Sequence, residues 1–276
     1  MILLGIDFED WFHPQLIAPF VSAKQKVPTM HRGLDKILDL LRKNDANATF
    51  FLVGEMLEHN PEISDKILSE GHELGFHTMR HARLDSPNFR STFVNELKEF
   101  QRITTKQVIG FRAPTFSLNE QSSWVIDELT KNNYKYDSSI VPAKTSMYGM
   151  ASAQKSPYRI TSNNLGGNDH NGTLIEFPLL VTKVLGKTIP AAGGFYLRIM
   201  PLTIIKKAIK TYEGKNIPAS LYIHSWELTP EHMPDIELPI KNRFITFHNI
   251  KKTFSRMNEL LKSYEFSTFE SYLPKI

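Results

Sequence analysis

Cysteine is absent from this 276-residue chain. Disulfides and thiolate metal sites are therefore excluded, and any bound metal must be held by His, Asp or Glu. No stretch is long and apolar enough to cross a bilayer. The opening run Met1-Ile2-Leu3-Leu4-Gly5-Ile6-Asp7 lacks a basic leader, a long apolar core and a small-residue cleavage site. It is expected to be a first strand rather than a signal peptide, which makes the cytoplasm, up to the inner face of the membrane, the expected compartment. No basic run is interleaved with aromatics in the manner of a nucleic-acid-binding segment. Internal repeats and low-complexity tracts are also missing.

What is present suits one soluble globular unit. The 31.7 kDa mass is ordinary for a single α/β barrel and sufficient for a large core without staples. Hydrophobic residues make up 41% and charged residues 22%, close to a globular average. The net charge of +4 is mild. Lys206, Lys207, Lys210 and Lys215 form the densest basic stretch. They are either a solvated helix face or a contact for anionic lipid or acidic glycan.

Strand and helix signals alternate. Buried strands are expected at 2–7, 48–53, 73–76, 108–111, 174–177 and 219–224. Helices are expected at 33–43, 61–70, 90–104, 119–132 (with Asn119 as cap), 201–211 and 247–264. This repeat predicts a parallel sheet with helices outside. The Ser-, Asn- and Gly-rich stretch 143–172 should form an extended loop over the barrel mouth. In such a barrel, polar residues at the carboxyl ends of strands carry the chemistry.

Five polar clusters fall at those ends. Asp7, Glu9 and Asp10 place three carboxylates just after an apolar strand and before Trp11-Phe12. One can bind a metal while a neighbour takes a proton from the attacking water. His77 and His81 form an H-x-x-x-H pair; if helical, this spacing puts both on one face as a metal requires. Arg112, in Gly110-Phe111-Arg112-Ala113-Pro114-Thr115-Phe116, can pair with the base carboxylate and keep it aimed. Asp137, before Ser138-Ser139, either caps a turn or lines the substrate site. His224 ends an apolar strand and precedes Ser225-Trp226-Glu227. There an aromatic plate beside an acid suits a sugar ring, and His224 can protonate a departing nitrogen. Gly193-Gly194-Phe195-Tyr196 is either a close backbone approach near an opening or a turn.

These strings resemble the polysaccharide deacetylases with a NodB homology domain, carbohydrate esterase family 4. The likeness rests on Glu9-Asp10, Ala48-Thr49-Phe50-Phe51, the His77–His81 motif, Arg112-Ala113-Pro114 and Leu221–His224, which run through most of the chain in the family's order. Fuller strings such as Asp7-Phe8-Glu9-Asp10-Trp11-Phe12-His13 and His224-Ser225-Trp226-Glu227-Leu228 resemble the branch associated with bacterial exopolysaccharide gene clusters. The resemblance implies an incomplete or distorted (β/α) barrel forming one catalytic domain over 1–276, with a characteristic extension from roughly 193. It implies one divalent metal, usually zinc, on Asp10, His77 and His81. It further implies Glu9 as base, with Asp7 as the competing carboxylate, Arg112 as the base's partner and His224 as acid. Cobalt, nickel or manganese would also suit such donors. Trp226, Asp137, Pro114, Phe116 and Tyr196 are the expected substrate-site residues. The expected reaction is removal of N-acetyl groups from an amino sugar in a polysaccharide, oligosaccharide or lipid-linked glycan, with peripheral membrane contact compatible with the last. The alternatives are an allantoinase- or imidase-like hydrolase of a small amide and a non-catalytic glycan-binding protein.

Overall fold

A computed structural model covers residues 1–276. Its strands are β1 (Ile2–Phe8), β2 (Thr49–Leu52), β3 (Glu73–Phe76), β4 (Gly110–Phe111), β5 (Tyr136–Asp137), β6 (Tyr158–Ile160), β7 (Leu174–Glu176), β8 (Val181–Val184), β9 (Lys187–Pro190), β10 (Ala219–His224) and β11 (Phe266–Ser267). The main sheet runs β10-β1-β2-β3-β4-β5-β7-β6, with β11 pairing beside the start of β1. Every pairing in it is parallel except β6–β7. β8 and β9 form a separate hairpin. The sheet curls into an incomplete barrel. Its open side is partly bridged by the isolated pairings Leu179–Ser220 and Gly193–Tyr222.

Strand alternation separates two cores. Along β1, Ile2, Leu4, Ile6 and Phe8 point outward into a large cluster that takes in residues from both halves of the chain. Leu3 instead joins Phe51, Tyr136, Ile175, Phe177 and Phe269 inside the barrel. Phe269, from the C-terminal segment, plugs the bottom. Its ring stacks on Tyr136 at 5.6 Å and meets Phe177 edge-on at 5.4 Å. Beside it, Glu73 accepts hydrogen bonds from Tyr136 Oη (2.6 Å) and Thr49 Oγ1 (2.5 Å). Burial outweighs these bonds and pushes the Glu73 carboxyl up to about 7.

Most expected helices are present, at Leu34–Arg42, Glu62–Ser69, Phe89–Ile103, Trp124–Lys131 and Leu202–Glu213. Asn119 caps a short turn, Glu120–Ser122, through Gln121 N–H rather than the helix itself. The expected closing helix 247–264 is shorter, Thr253–Ser263 after a single turn at Ile250–Lys252, and a separate helix, Ile240–Phe247, precedes it. Asn249, in the left-handed region at φ 55°, breaks them apart. The β8–β9 hairpin and the helix Gly54–His59 carry no period long enough to have been anticipated.

Above the plug, the barrel interior holds the guanidinium of Arg112. Gly5 on β1 makes room for it, because a Cβ at Gly5 would run into the guanidinium group. Gly5→Ala is therefore expected to destabilise the fold by ~1–3 kcal/mol through overpacking. Gly214→Ala, at a helix end with φ −63° and only ordinary contacts, should be close to neutral. Denaturant unfolding of the two variants checks the contrast.

Candidate active site

Parallel pairing brings the clusters together. Asp7 lies opposite His224 across β1–β10, Phe76 opposite Phe111, and Phe111 opposite Asp137. The residues that follow these strand ends therefore converge on one rim.

The three clustered carboxylates take three different partners. Asp7 Oδ1 accepts from Arg112 Nη1 at 2.7 Å. Glu9 turns to the histidines: its Oε2 lies 2.9 Å from His81 Nε2, and its Oε1 accepts from Trp226 Nε1 at 3.0 Å. Asp10 folds back onto the backbone, accepting from Trp11 N–H and Thr29 N–H, each at 3.1 Å. Asp7 lies within β1, whereas Glu9 and Asp10 follow its end at Phe8. Asp10 is not among the side chains whose donor atoms cluster with the imidazoles; the carboxylate beside them is Glu9.

Glu9, His77 and His81 offer donor atoms that all lie within 4.8 Å of one another. Their spacing works through a loop, not a helix: Thr78 and His81 adopt left-handed φ values of 61° and 55° and turn both rings inward. The ring centroids of His77 and His81 are 4.9 Å apart. His77 Nδ1 donates to Arg112 C=O at 2.7 Å, which leaves Nε2 free to bind. Burial lowers His77 to about 4, keeping it neutral. Burial opposes ionisation of Glu9, but the adjacent His81, with His224 and His77 beyond, holds its carboxyl well below the usual range. Glu9 Oε2 is buried without a hydrogen-bond donor. A buried carboxylate oxygen 2.9 Å from His81 Nε2, with the neutral His77 imidazole beside it, fits a divalent cation with an open coordination position.

Arg112 is fully buried. Besides Asp7 it donates from Nε to Ser138 C=O (2.9 Å) and from Nη2 to Ser138 Oγ (3.0 Å). Its guanidinium lies 4.1 Å from the Phe51 ring centroid and within 6 Å of the Phe116, Tyr222 and Phe269 rings.

Across the pocket, His224 Nδ1 donates to Glu227 Oε2 at 2.6 Å, three residues on in a single helical turn. Burial would lower His224, but Glu227 and then Glu9 outweigh it and raise the imidazole to about 9. Glu227 is buried and accepts from Arg198 Nε at 2.8 Å. Burial would raise Glu227, yet Arg198 and His224 hold it low. Arg198 also donates to the carbonyls of Ile245 (2.8 Å), Thr246 (3.0 Å) and His248 (2.8 Å). Sequence pattern set Glu227 beside Trp226 as part of a sugar site, not as the partner of His224, and gave Arg198 no role. The signals were a carboxylate three residues after His224 and a lone cation inside an apolar run.

These groups floor a cavity of about 230 Å³. Trp226, Phe116 and Tyr196 line it, as do the unanticipated Leu16, Met147 and Ile245. Thr115 and Phe116 both have left-handed φ (54° and 51°), which turns the Phe116 ring edge-on to Tyr222 and Tyr148. Two expected substrate residues are not brought there. Pro114 is buried behind its neighbours, outside the lining. Asp137 is fully buried and accepts from Ser139 Oγ at 2.5 Å. Burial raises its carboxyl, and Glu176 beside it is raised well above the ordinary value by burial and by Asp137. They are two adjacent buried acids on neighbouring strands, outside the pocket lining.

Residues 27–136 match the family model described as polysaccharide deacetylase, and residues 138–274 match a domain of unknown function, DUF3473. A peptidoglycan-N-acetylglucosamine deacetylase of Bacillus cereus is 37% identical over 87 residues, which is 31% of this chain and 41% of that protein. The chain spans well under half the length of the first curated relatives it matches. Among solved structures, a Mycobacterium smegmatis protein described as a candidate polysaccharide deacetylase has a TM-score of 0.55 at 15% identity, covering 99% of this chain and 89% of that one. A CE4 family pseudoenzyme from Bacillus anthracis has a TM-score of 0.50 at 13% identity, covering 98% and 64%. The fold alone therefore does not decide activity; the side chains must.

If Glu9, His77 and His81 hold a cation, His81→Ala and Glu9→Ala should each lose a stoichiometric zinc ion after dialysis, whereas Asp10→Asn should retain it. Elemental analysis of the folded variants checks this, and metal loss in Asp10→Asn equal to that in Glu9→Ala would contradict the assignment.

Proposed function

We propose, since residues 27–136 belong to the polysaccharide deacetylase family, that this chain hydrolyses the N-acetyl group of an amino sugar, with residues 1–276 acting as one catalytic unit. The glycan is a polysaccharide, an oligosaccharide or a lipid-linked sugar, of the kind made by the exopolysaccharide branch that the strings around Asp7 and His224 resemble. The observation that carries the reading is the pairing of two opposed devices across one pocket: Asp7 held by Arg112 on one side, and His224 held by Glu227 on the other.

In this reading Asp7, not Glu9, is the base. Its Oδ1 is fixed by Arg112, and its carboxylate borders the pocket, aimed to take a proton from a water attacking the acetyl carbon. A divalent cation on Glu9, His77 and His81, zinc by family resemblance, would act as a Lewis acid and lower the pKa of water from 15.7 toward about 7. His224, kept protonated by Glu227, donates from Nε2 to the amine nitrogen as the C–N bond breaks. Acetate and a free amine leave. The Trp226 ring, stacked on His224 at 5.0 Å, offers a flat apolar surface to the sugar.

Acetate release from N-acetylated mono- and oligosaccharides and from a lipid-linked amino sugar tests the proposal, with metal-stripped and zinc-reloaded protein compared. Release should require metal. Asp7→Asn and His224→Ala should each lower turnover roughly a hundred- to ten-thousand-fold. Glu227→Gln should fall between these and the wild type. No acetate from any sugar with metal bound, or near-normal turnover in Asp7→Asn, would overturn it.

A further inference from the structure

The pocket mouth is bordered by four stretches of chain, 14–27, 143–150, 193–204 and 240–252, which supply Leu16, Met147, Phe195 and Ile245 to its wall. The whole chain has 29 acidic residues, yet none of these four stretches contains one. They do contain Lys24, Lys26, Lys144, Lys241 and Arg243, all exposed. They also carry exposed large apolar side chains. In the helix Ile240–Phe247, Ile240 is 90% exposed and Phe244, four residues on along the same face, is 52% exposed. The Phe244 ring lies 6.1 Å from that of Phe195 at the pocket wall. Asn242 Nδ2 donates to Leu16 C=O at 2.9 Å, tying this helix to the stretch that carries Phe20, which is 46% exposed. The basic stretch that stands out in sequence is a weaker candidate, because Lys206 is already paired with Glu259 at 2.8 Å.

We propose that this acid-free, cationic and apolar rim docks on an anionic bilayer, with the pocket mouth facing the lipid headgroups. A water-facing helix face with Ile240 and Phe244 outermost has no purpose in a monomer unless something covers it. Phospholipid headgroups match the lysines in charge, while the boundary below them accepts short apolar insertions. The lack of any carboxylate within these four stretches lowers the repulsion that an anionic surface would exert, with Asp235 beside Arg243 as the neighbouring acid. Such docking would present a sugar carried on a membrane lipid end-on to the cavity. The inference does not depend on the catalytic reading, since it concerns the surface alone.

Sedimentation of the full chain with phosphatidylcholine vesicles, with and without phosphatidylglycerol, tests it. Binding is expected only to the anionic vesicles and should weaken as salt rises. Ile240→Ser combined with Phe244→Ser should lower the affinity about tenfold or more. Leu185→Ser, at the 98% exposed tip of the β8–β9 hairpin, should leave it unchanged. Lys24→Glu with Lys26→Glu tests the charge separately and should also weaken binding. The proposal is overturned if the wild type does not bind anionic vesicles, if it binds neutral ones equally, or if neither rim variant weakens binding relative to Leu185→Ser.

Discussion

The site is organised around a buried cation. Arg112 sits inside the curled sheet with no access to solvent, and a guanidinium there cannot shed its proton. Burying such a charge is tolerable only with a counter-charge and saturated donors. Asp7 supplies the charge, and Ser138 supplies two acceptors. The space comes from Gly5, and the flanking walls are aromatic faces that a cation favours. Losing the carboxylate would strand the guanidinium at a cost of ~3–5 kcal/mol. The pair thus links β1 to the segments after β4 and β5, and it fixes Asp7 as the one carboxylate of its cluster that cannot turn elsewhere. Once Asp7 is committed, Glu9 two residues on is left to the histidines, and the partition of the acidic cluster follows.

The second half of the chain repeats this logic on the opposite wall. Arg198 is nearly as buried as Arg112, and it too holds a single carboxylate, Glu227, which in turn holds His224. Its remaining donors go to carbonyls at the end of the helix Ile240–Phe247 and just beyond, so one side chain both orients the candidate acid and anchors the helix that borders the pocket. The region matched by a domain of unknown function is therefore not an appendage. It provides β10, His224 and its supports, the Tyr148 and Tyr196 walls, and the bridges that narrow the open side of the barrel.

The architecture was legible because hydrophobic runs and helix periods are local signals, and strands separated by helices have few topologies open to them. Side-chain direction was less so. His77 and His81 read as a helical pair by their spacing, but the chain turns through left-handed residues at Thr78 and His81, which no periodicity records. Asp10 as a metal ligand is implied by the family resemblance alone, which carries no information on side-chain direction. Glu9 and Asp10 lie past the end of β1, where no strand period fixes their direction. Asp137 was not readable in the same way. Its strand end looks like the others, and only the cross-strand neighbour Glu176 shows that it faces a second buried acid rather than the pocket. The Arg198–Glu227 link spans 29 residues and joins two helices, so only the folded chain could reveal it.

A shared fold is compatible with an inactive protein, as the pseudoenzyme neighbour illustrates, so the weight rests on electrostatics. The pocket places its charges at the floor and aromatic and aliphatic side chains on its walls. In the proposed reading, a fixed carboxylate and a fixed imidazolium in such surroundings would act on a bound amide far more strongly than in water, with no reorganisation. Both are preset here by a buried arginine, one directly and one through Glu227. A purely structural role would explain one buried ion pair at a strand end. It would not explain why two of them, from opposite halves of the chain, each leave their partner facing the same cavity beside His77, His81 and Glu9.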